Sequence, residues 1–79
     1  MSGHPGAGDD HLVSMANQIA RFFASQKDQD PATAAAEHLR LYWEPRMKRA
    51  ILARLEAGGA GMDPVTQAAV ALLQQPQSV

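Results

Sequence analysis

Hydrophobic residues recur with a helical period in the first ordered stretch of the chain. At about 100° per residue, the apolar positions span roughly half of the helical circumference; they are Leu12, Val13, Met15, Ala16, Ile19, Ala20, Phe22 and Phe23. The opposite arc is polar and contains Ser14, Asn17, Gln18, Arg21 and Ser25. The pattern predicts an amphipathic helix that starts near residue 10, with Asp9 or Asp10 as its N-cap.

Three acid-proline pairs predict three further helix starts. Asp30-Pro31, Glu44-Pro45 and Asp63-Pro64 each place a proline at the first helical position, where its fixed φ fits and its missing N–H is not needed. Because proline disfavours the helical conformation of the residue before it, a break between two helices is predicted at Glu44. The third helix should end at Gly58-Gly59, since glycine readily adopts the left-handed conformation that closes a helix.

No segment alternates with period two for long enough to form a strand. The sequence therefore predicts an all-α protein, a small array of three to four short helices. Residues 1–9 are rich in glycine and proline and should form a disordered tail, residues 10–73 a single helical domain, and residues 74–79 a frayed C-terminal tail.

The small size of the chain limits how it can be stabilised. A domain of 79 residues buries little of its surface on folding, so small domains usually add disulfides, a metal or a partner. The chain has no cysteine, which excludes disulfides, thiolate-bound zinc and iron–sulfur ligation. Its net charge is −1, so no global field favours nucleic acid or anionic membranes. A protein partner is the remaining source of stability.

The core is predicted to centre on the only tryptophan and the only tyrosine, Trp43 and Tyr42. Both stand at the Trp43-Glu44-Pro45 corner, on the same face of the second helix as a row of small alanines. Leu41 projects from the other side as a second apolar spot, which is a mild sign of an interface. The apolar face of the last helix is predicted to consist of Val65, Ala68, Ala69, Leu72 and Leu73.

Residues with catalytic or ligand-binding potential are scattered. His4, His11 and His38 have no metal-binding spacing. The stretch Gly58 to Gly61 follows a predicted helix and lacks the lysine of a phosphate-binding loop. The carboxylates form no pair on a shared buried face, so no acid–base dyad is predicted. We expect no catalytic, cofactor-binding or metal site in this chain.

The third predicted helix carries most of the positive charge, on Arg46, Lys48, Arg49 and Arg54. Such a face could follow phosphates as a recognition helix does. A solvated face, or ion pairs with an acidic partner, is the favoured interpretation, because the net charge is near zero and there is no basic tail. A small helical nucleic-acid-binding protein is therefore one alternative.

Three stretches of sequence are recognisable in this order: MANQIARFF at Met15 to Phe23, AEHLRLYWEPRMKRAILARL at Ala36 to Leu55, and GGAGMDPV at Gly58 to Val65. Together they resemble the small delta subunit of soluble, NAD-dependent, molybdenum-containing formate dehydrogenase. The resemblance extends from about Leu12 to Leu73. Glu44 stands where an aspartate is expected, and the tail at residues 1–9 has no counterpart.

The resemblance implies a non-catalytic accessory subunit that stabilises or assembles a cytoplasmic complex oxidising formate to CO2 with reduction of NAD⁺. The alpha subunit of that complex is expected to hold bis-molybdopterin guanine dinucleotide. Iron–sulfur clusters and FMN are expected on the larger subunits, which include beta and gamma subunits, with the NAD site on the beta subunit. The delta subunit binds none of these cofactors, and docking on the alpha subunit is expected. The alternative is a dissociable chaperone for insertion of the molybdenum cofactor.

Docking energy usually comes from a few buried aromatic and arginine anchors. No nucleic-acid or membrane partner is expected. The predicted interface residues are Arg21, Leu41, Tyr42, Trp43, Glu44, Pro45, Arg46 and Arg49. The corner at Trp43 to Arg46 is the first choice, with a purely core role as the alternative for Trp43 and plain solvation as the alternative for Arg21.

Overall fold

The computed structural model describes residues 7–74, with side chains from Asp9 onward. They form four helices, α1 (Ala7–Ala24), α2 (Pro31–Tyr42), α3 (Pro45–Glu56) and α4 (Pro64–Leu73). No strand occurs in this range, which confirms the all-α prediction. Of the predicted tails at residues 1–9 and 74–79, residues 1–6 and 75–79 lie outside the described range.

Helix α1 begins at Ala7, three residues before the predicted start. Asp9 and Asp10 lie in its first turn rather than at its cap, where carboxylates interact favourably with the partial positive charge of the helix N-terminus. The apolar period that guided the prediction begins only at Leu12 and therefore could not reveal this first turn.

The other helix boundaries follow the predicted chemistry. The Asp30 carboxylate accepts hydrogen bonds from the backbone N–H and the hydroxyl of Thr33 at 3.0 and 2.8 Å. Glu44 and Asp63 are also extended residues before a proline, but neither side chain caps its helix. Gly58 and Gly59 have φ angles of +124° and +67°, and the N–H of Gly59 donates to the Arg54 carbonyl oxygen at 2.9 Å. The predicted glycine stop of α3 is confirmed.

All four helices contribute to one main core. The buried side chains of this cluster are Val13, Ala16, Leu39, Trp43, Ile51, Met62 and Val70. A second, smaller cluster consists of Ala35, Ala36 and Ala69, where small side chains allow α2 and α4 to approach closely. Each buried large side chain contributes about 1.5–3 kcal/mol relative to exposure.

Three predictions about burial are wrong. Tyr42 is 71% exposed and Phe22 60% exposed, although both were assigned to core-facing arcs. On α4 the fully buried residues are Thr66, Ala69 and Val70, so the packed face is rotated relative to the predicted one. The two faces overlap, because Ala69 is buried and Leu72 and Leu73 are partly buried against the core clusters. Among residues 7–74, no helix combines the length and apolar character that a membrane crossing needs.

Candidate partner interface

The corner between α2 and α3 exposes most of the residues predicted for it. Trp43 is the exception: the residue is 6% exposed and belongs to the main core, and its backbone N–H donates to the Leu39 carbonyl oxygen at 3.0 Å. The residues exposed around it are Leu41, Tyr42, Glu44, Pro45, Arg46 and Arg49. The buried ring thus fixes the direction of the corner, and the neighbouring side chains are left available for contacts.

Cations at the corner have two different roles. The Lys48 ammonium donates to the Arg40 carbonyl oxygen at 3.1 Å, and the Arg40 guanidinium donates to the Leu72 carbonyl oxygen at 3.4 Å. These two side chains connect α2 to α3 and to α4. Arg46 and Arg49 are exposed and form no ion pair or side-chain hydrogen bond with any residue of the described range.

The basic face predicted on α3 is therefore incomplete. Lys48 is occupied by the backbone of α2, and the Arg54 guanidinium pairs with the Asp10 carboxylate at 2.5 Å. Only Arg46 and Arg49 remain of the four cations that could have followed a phosphate backbone. Two exposed arginines suit ion pairs with a protein better than the long series of phosphate contacts that gives nucleic-acid affinity.

Arg21 forms an ion pair within the chain. Its Nε lies 2.9 Å from Oδ2 of Asp63, and the two side chains are 67% and 34% exposed. The Asp63 carboxylate pairs with Arg21 and does not cap α4. Only Nε of the guanidinium takes part in this pair, so the terminal N–H groups of Arg21 can still donate to a partner carboxylate.

A buried amide next to this ion pair was missed by the sequence analysis. Asn17 is 8% exposed, and its Nδ2 donates to the Gly61 carbonyl oxygen at 2.9 Å. Its Oδ1 accepts from the Asp63 N–H at 3.0 Å and from the Thr66 hydroxyl at 2.6 Å. We call these four residues the polar lock, because they hold the α3–α4 loop and the start of α4 against α1.

The sequence analysis also missed that the other helices leave part of the apolar arc of α1 uncovered. The rings of Phe22 and Phe23 meet edge to face, with 5.1 Å between their centroids. The centroid distances are 6.0 Å from Phe23 to His38 and 4.8 Å from His38 to Tyr42. Beside them runs a mainly apolar groove of about 320 Å³, lined by Met15, Gln18, Ile19, Phe22, Phe23 and His38. We call this groove, together with Tyr42 at its end, the aromatic groove.

Helix α1 is rotated relative to the orientation that its apolar arc predicts. This rotation explains both the buried Asn17 and the exposed Phe22. At about 100° per residue, the residues buried on α1 (Val13, Ala16, Asn17 and Ala20) centre roughly 80° away from the middle of the apolar arc, toward Asn17. Burial therefore includes a polar residue on one side and leaves Phe22 outside on the other. The only sequence signal was that Asn17 and Phe22 stand close to opposite borders of the arc.

Other groups capable of chemistry are dispersed over the described residues. No three His, Asp or Glu side chains in this range come together as metal ligands. One carboxylate is perturbed: the hydrogen bonds from Thr33 lower the pKa of Asp30 below its ordinary value. This change reflects helix capping, a structural role.

Comparison with known proteins identifies one family. The family model of the NADH-dependent formate dehydrogenase delta subunit FdsD matches residues 11–70, well over half of the chain. No curated protein and no solved structure gave a significant match. The match begins within α1 and ends within α4, so it includes both the polar lock and the aromatic groove.

Proposed function

The chain belongs to the family of NADH-dependent formate dehydrogenase delta subunits, and on that premise we propose that it is a non-catalytic accessory subunit. Its role is to stabilise or assemble the multi-subunit enzyme that converts formate and NAD⁺ to CO2 and NADH. The alpha subunit that carries the molybdenum cofactor is its docking partner, in the presence of the beta and gamma subunits. The proposed location is the cytoplasm.

The observation that carries this proposal is a set of exposed apolar side chains on a very small domain. Phe22, Leu41 and Tyr42 are 60–74% exposed, and two of them belong to the aromatic groove. Large aromatic residues supply much of the binding energy of protein interfaces. A domain of this size has little stability of its own, so burial of these side chains against a larger subunit would stabilise it.

The cofactors are proposed to lie on the larger subunits. Iron–sulfur clusters require cysteine thiolates, and this chain contains no cysteine. The residues present therefore do not fit such a cluster. For bis-molybdopterin guanine dinucleotide, FMN and NAD, we propose that this chain acts only on the stability of the subunits that bind them.

The proposal is tested by affinity purification from the native host with a tag on this chain. The eluate is analysed by quantitative mass spectrometry and by formate-dependent reduction of NAD⁺. We expect the larger formate dehydrogenase subunits in equal amounts with this chain, together with activity. A strain without this chain should contain less of the intact complex.

Two other results would change the assignment. Recovery of only an inactive, cofactor-poor alpha subunit would identify a maturation chaperone that leaves the finished enzyme. Recovery of none of the larger subunits would reject both roles.

A further inference from the structure

We infer that the aromatic groove is the binding site for an acidic amphipathic helix of a larger subunit of the complex. The inference rests on the proposed function and specifies which surface docks and what it contacts. It moves the contact from the α2–α3 corner, which the sequence favoured, to the neighbouring groove between α1 and α2.

The length of the groove fits a helical ligand. Its wall on α1 extends from Met15 to Phe23, which at about 1.5 Å per residue corresponds to roughly 12 Å, or about two helical turns. A partner helix placed there would present apolar anchors spaced by three, four and seven residues, as in other helix-in-groove complexes.

The groove is already shaped before any partner arrives. Phe23 and Ile19 are half-buried and pack against the small α2–α4 cluster, and the exposed ring of Phe22 lies edge to face on Phe23. The ring of Tyr42 packs against the ring of His38, with 4.8 Å between the ring centroids. Because aromatic side chains have few rotamers and these are braced, little conformational entropy would be lost on binding.

Charge at one end of the groove indicates an acidic partner. Tyr42 leads directly into the corner, and the charged side chains there comprise four cations and two carboxylates, namely Arg40, Arg46, Lys48, Arg49, Glu37 and Glu44. Arg40 and Lys48 already donate to backbone carbonyl oxygens. Arg46 and Arg49 therefore remain to pair with carboxylates of the partner.

The same charges argue against a second copy of this chain as the occupant. A twofold contact places the same patch on both sides of the interface. A dimer in which the two grooves lie parallel would bring two cationic corners together, and like charges across an interface are repulsive. A larger subunit with an acidic helix avoids this repulsion.

The decisive experiment measures equilibrium binding of the full-length chain to the purified complex of the larger subunits, prepared from a strain that lacks this chain. The groove variant combines Phe22→Ser with Tyr42→Ser. Leu41→Ser is the matched control, because Leu41 is 74% exposed but does not line the groove. Circular dichroism confirms that each variant is folded.

We expect the groove variant to bind at least about tenfold more weakly, as for loss of interface anchors, and Leu41→Ser to bind within about twofold of the unmodified chain. If Leu41→Ser weakens binding and the groove variant does not, docking occurs at the corner and the groove is rejected, while the proposed function stands. If the unmodified chain does not bind the larger subunits, the proposed function itself fails.

The charge component has its own test. Arg46→Glu combined with Arg49→Glu should weaken binding and reduce its dependence on salt, whereas Lys27→Glu, an exposed change in the α1–α2 connection, should not. Equal affinity and equal salt dependence in both would reject an acidic partner. Dimers of the free chain in sedimentation that the groove variant abolishes would identify a second copy as the occupant and overturn the inference.

Discussion

The two sides of α1 differ in whether their side chains find suitable contacts within the domain. On one side, Asn17 is polar yet buried, and all of its bonds in the polar lock are made within the chain. On the other side, Phe22 is apolar yet 60% exposed, and its ring lies edge to face with Phe23. The polar side is thus complete in the isolated domain, whereas the apolar side gains its full burial only against another molecule.

This difference separates residues that hold the fold from residues that are free to bind. Substitutions in the lock or the core should lower stability, because they leave cavities or unpaired buried groups. Substitutions of the exposed groove residues Phe22 and Tyr42 should leave stability nearly unchanged. Measurements that compare neighbouring residues can therefore test the distinction directly.

The largest effect is expected at Trp43, compared with its neighbour Tyr42. Trp43→Ala removes a ring buried in the main core, a change that destabilises proteins by about 3–5 kcal/mol. Since a domain of this size has a stability of about that magnitude, the isolated variant should be unfolded at 25 °C by circular dichroism.

The matched variant Tyr42→Ala should melt normally, because exposed substitutions change stability by about 0.5 kcal/mol or less. If the two variants melted alike, the assignment of Trp43 to the core and Tyr42 to the groove would be wrong.

The next largest effect is expected in the polar lock. Asn17→Ala leaves the hydroxyl of Thr66, which is 1% exposed, without its acceptor, and it also frees Gly61 and Asp63. Loss of a partner for such buried groups destabilises by on the order of 2–3 kcal/mol, or about 10–20 °C in a domain of this size. Thermal unfolding of this variant should be compared with that of Gln18→Ala, an exposed neighbour, which should melt like the unmodified chain. Equal melting of all three would mean that the lock does not hold the loop.

A smaller effect is expected for the Arg21–Asp63 ion pair. Because Arg21 is largely exposed, Arg21→Gln should reduce stability by about 0.2–1 kcal/mol, and high salt should remove the difference. Chemical denaturation in urea at low and high ionic strength measures this. A difference that persists in 1 M salt would indicate that Arg21 acts by packing its aliphatic stem.

The smallest effect is expected at Asp30 and should depend on pH. Its carboxylate has a lowered pKa because it accepts two hydrogen bonds from Thr33. The stabilisation is therefore present above the ordinary carboxylate pKa and is lost as the pH falls through the lowered value of the folded state.

Asp30→Asn retains a capping oxygen that does not titrate, so the melting temperatures of this variant and the unmodified chain should change relative to each other only below about pH 4. Asp28→Asn, an exposed change without this cap, serves as the control. A constant difference across the whole pH range would show that ionisation of Asp30 does not contribute.

Helix boundaries were predictable because they depend on local chemistry. The three acid-proline starts and the glycine stop at Gly58-Gly59 appear where expected, since φ restrictions and missing N–H groups act within a few residues. The break at Glu44 follows from the same cause. The family could also be identified from sequence, because its motifs were ordered along most of the chain.

The orientation of each helix was not predictable from its own sequence. Local pattern shows which arc of α1 is apolar, but packing against three other helices decides which part of that arc is buried. The bonds of Asn17 join residues 44 to 49 positions apart, a relation that no local window contains. Of the predicted interface residues, Trp43 is buried in the core and Arg21 is paired with Asp63. Phe22 and His38 were not among the predicted interface residues.

The long sequence separation of the polar lock also bears on the order in which the chain folds. Asn17 can form its bonds only after Gly61, Asp63 and Thr66 have been synthesised and the loop has closed. Contacts between such distant residues form slowly compared with helix formation. Helix α1 emerges before α2, α3 and α4 during synthesis and, we expect, is the last of the four to be fixed in place. Any nascent chain that lacks α4 would expose the amide of Asn17, which the complete domain buries.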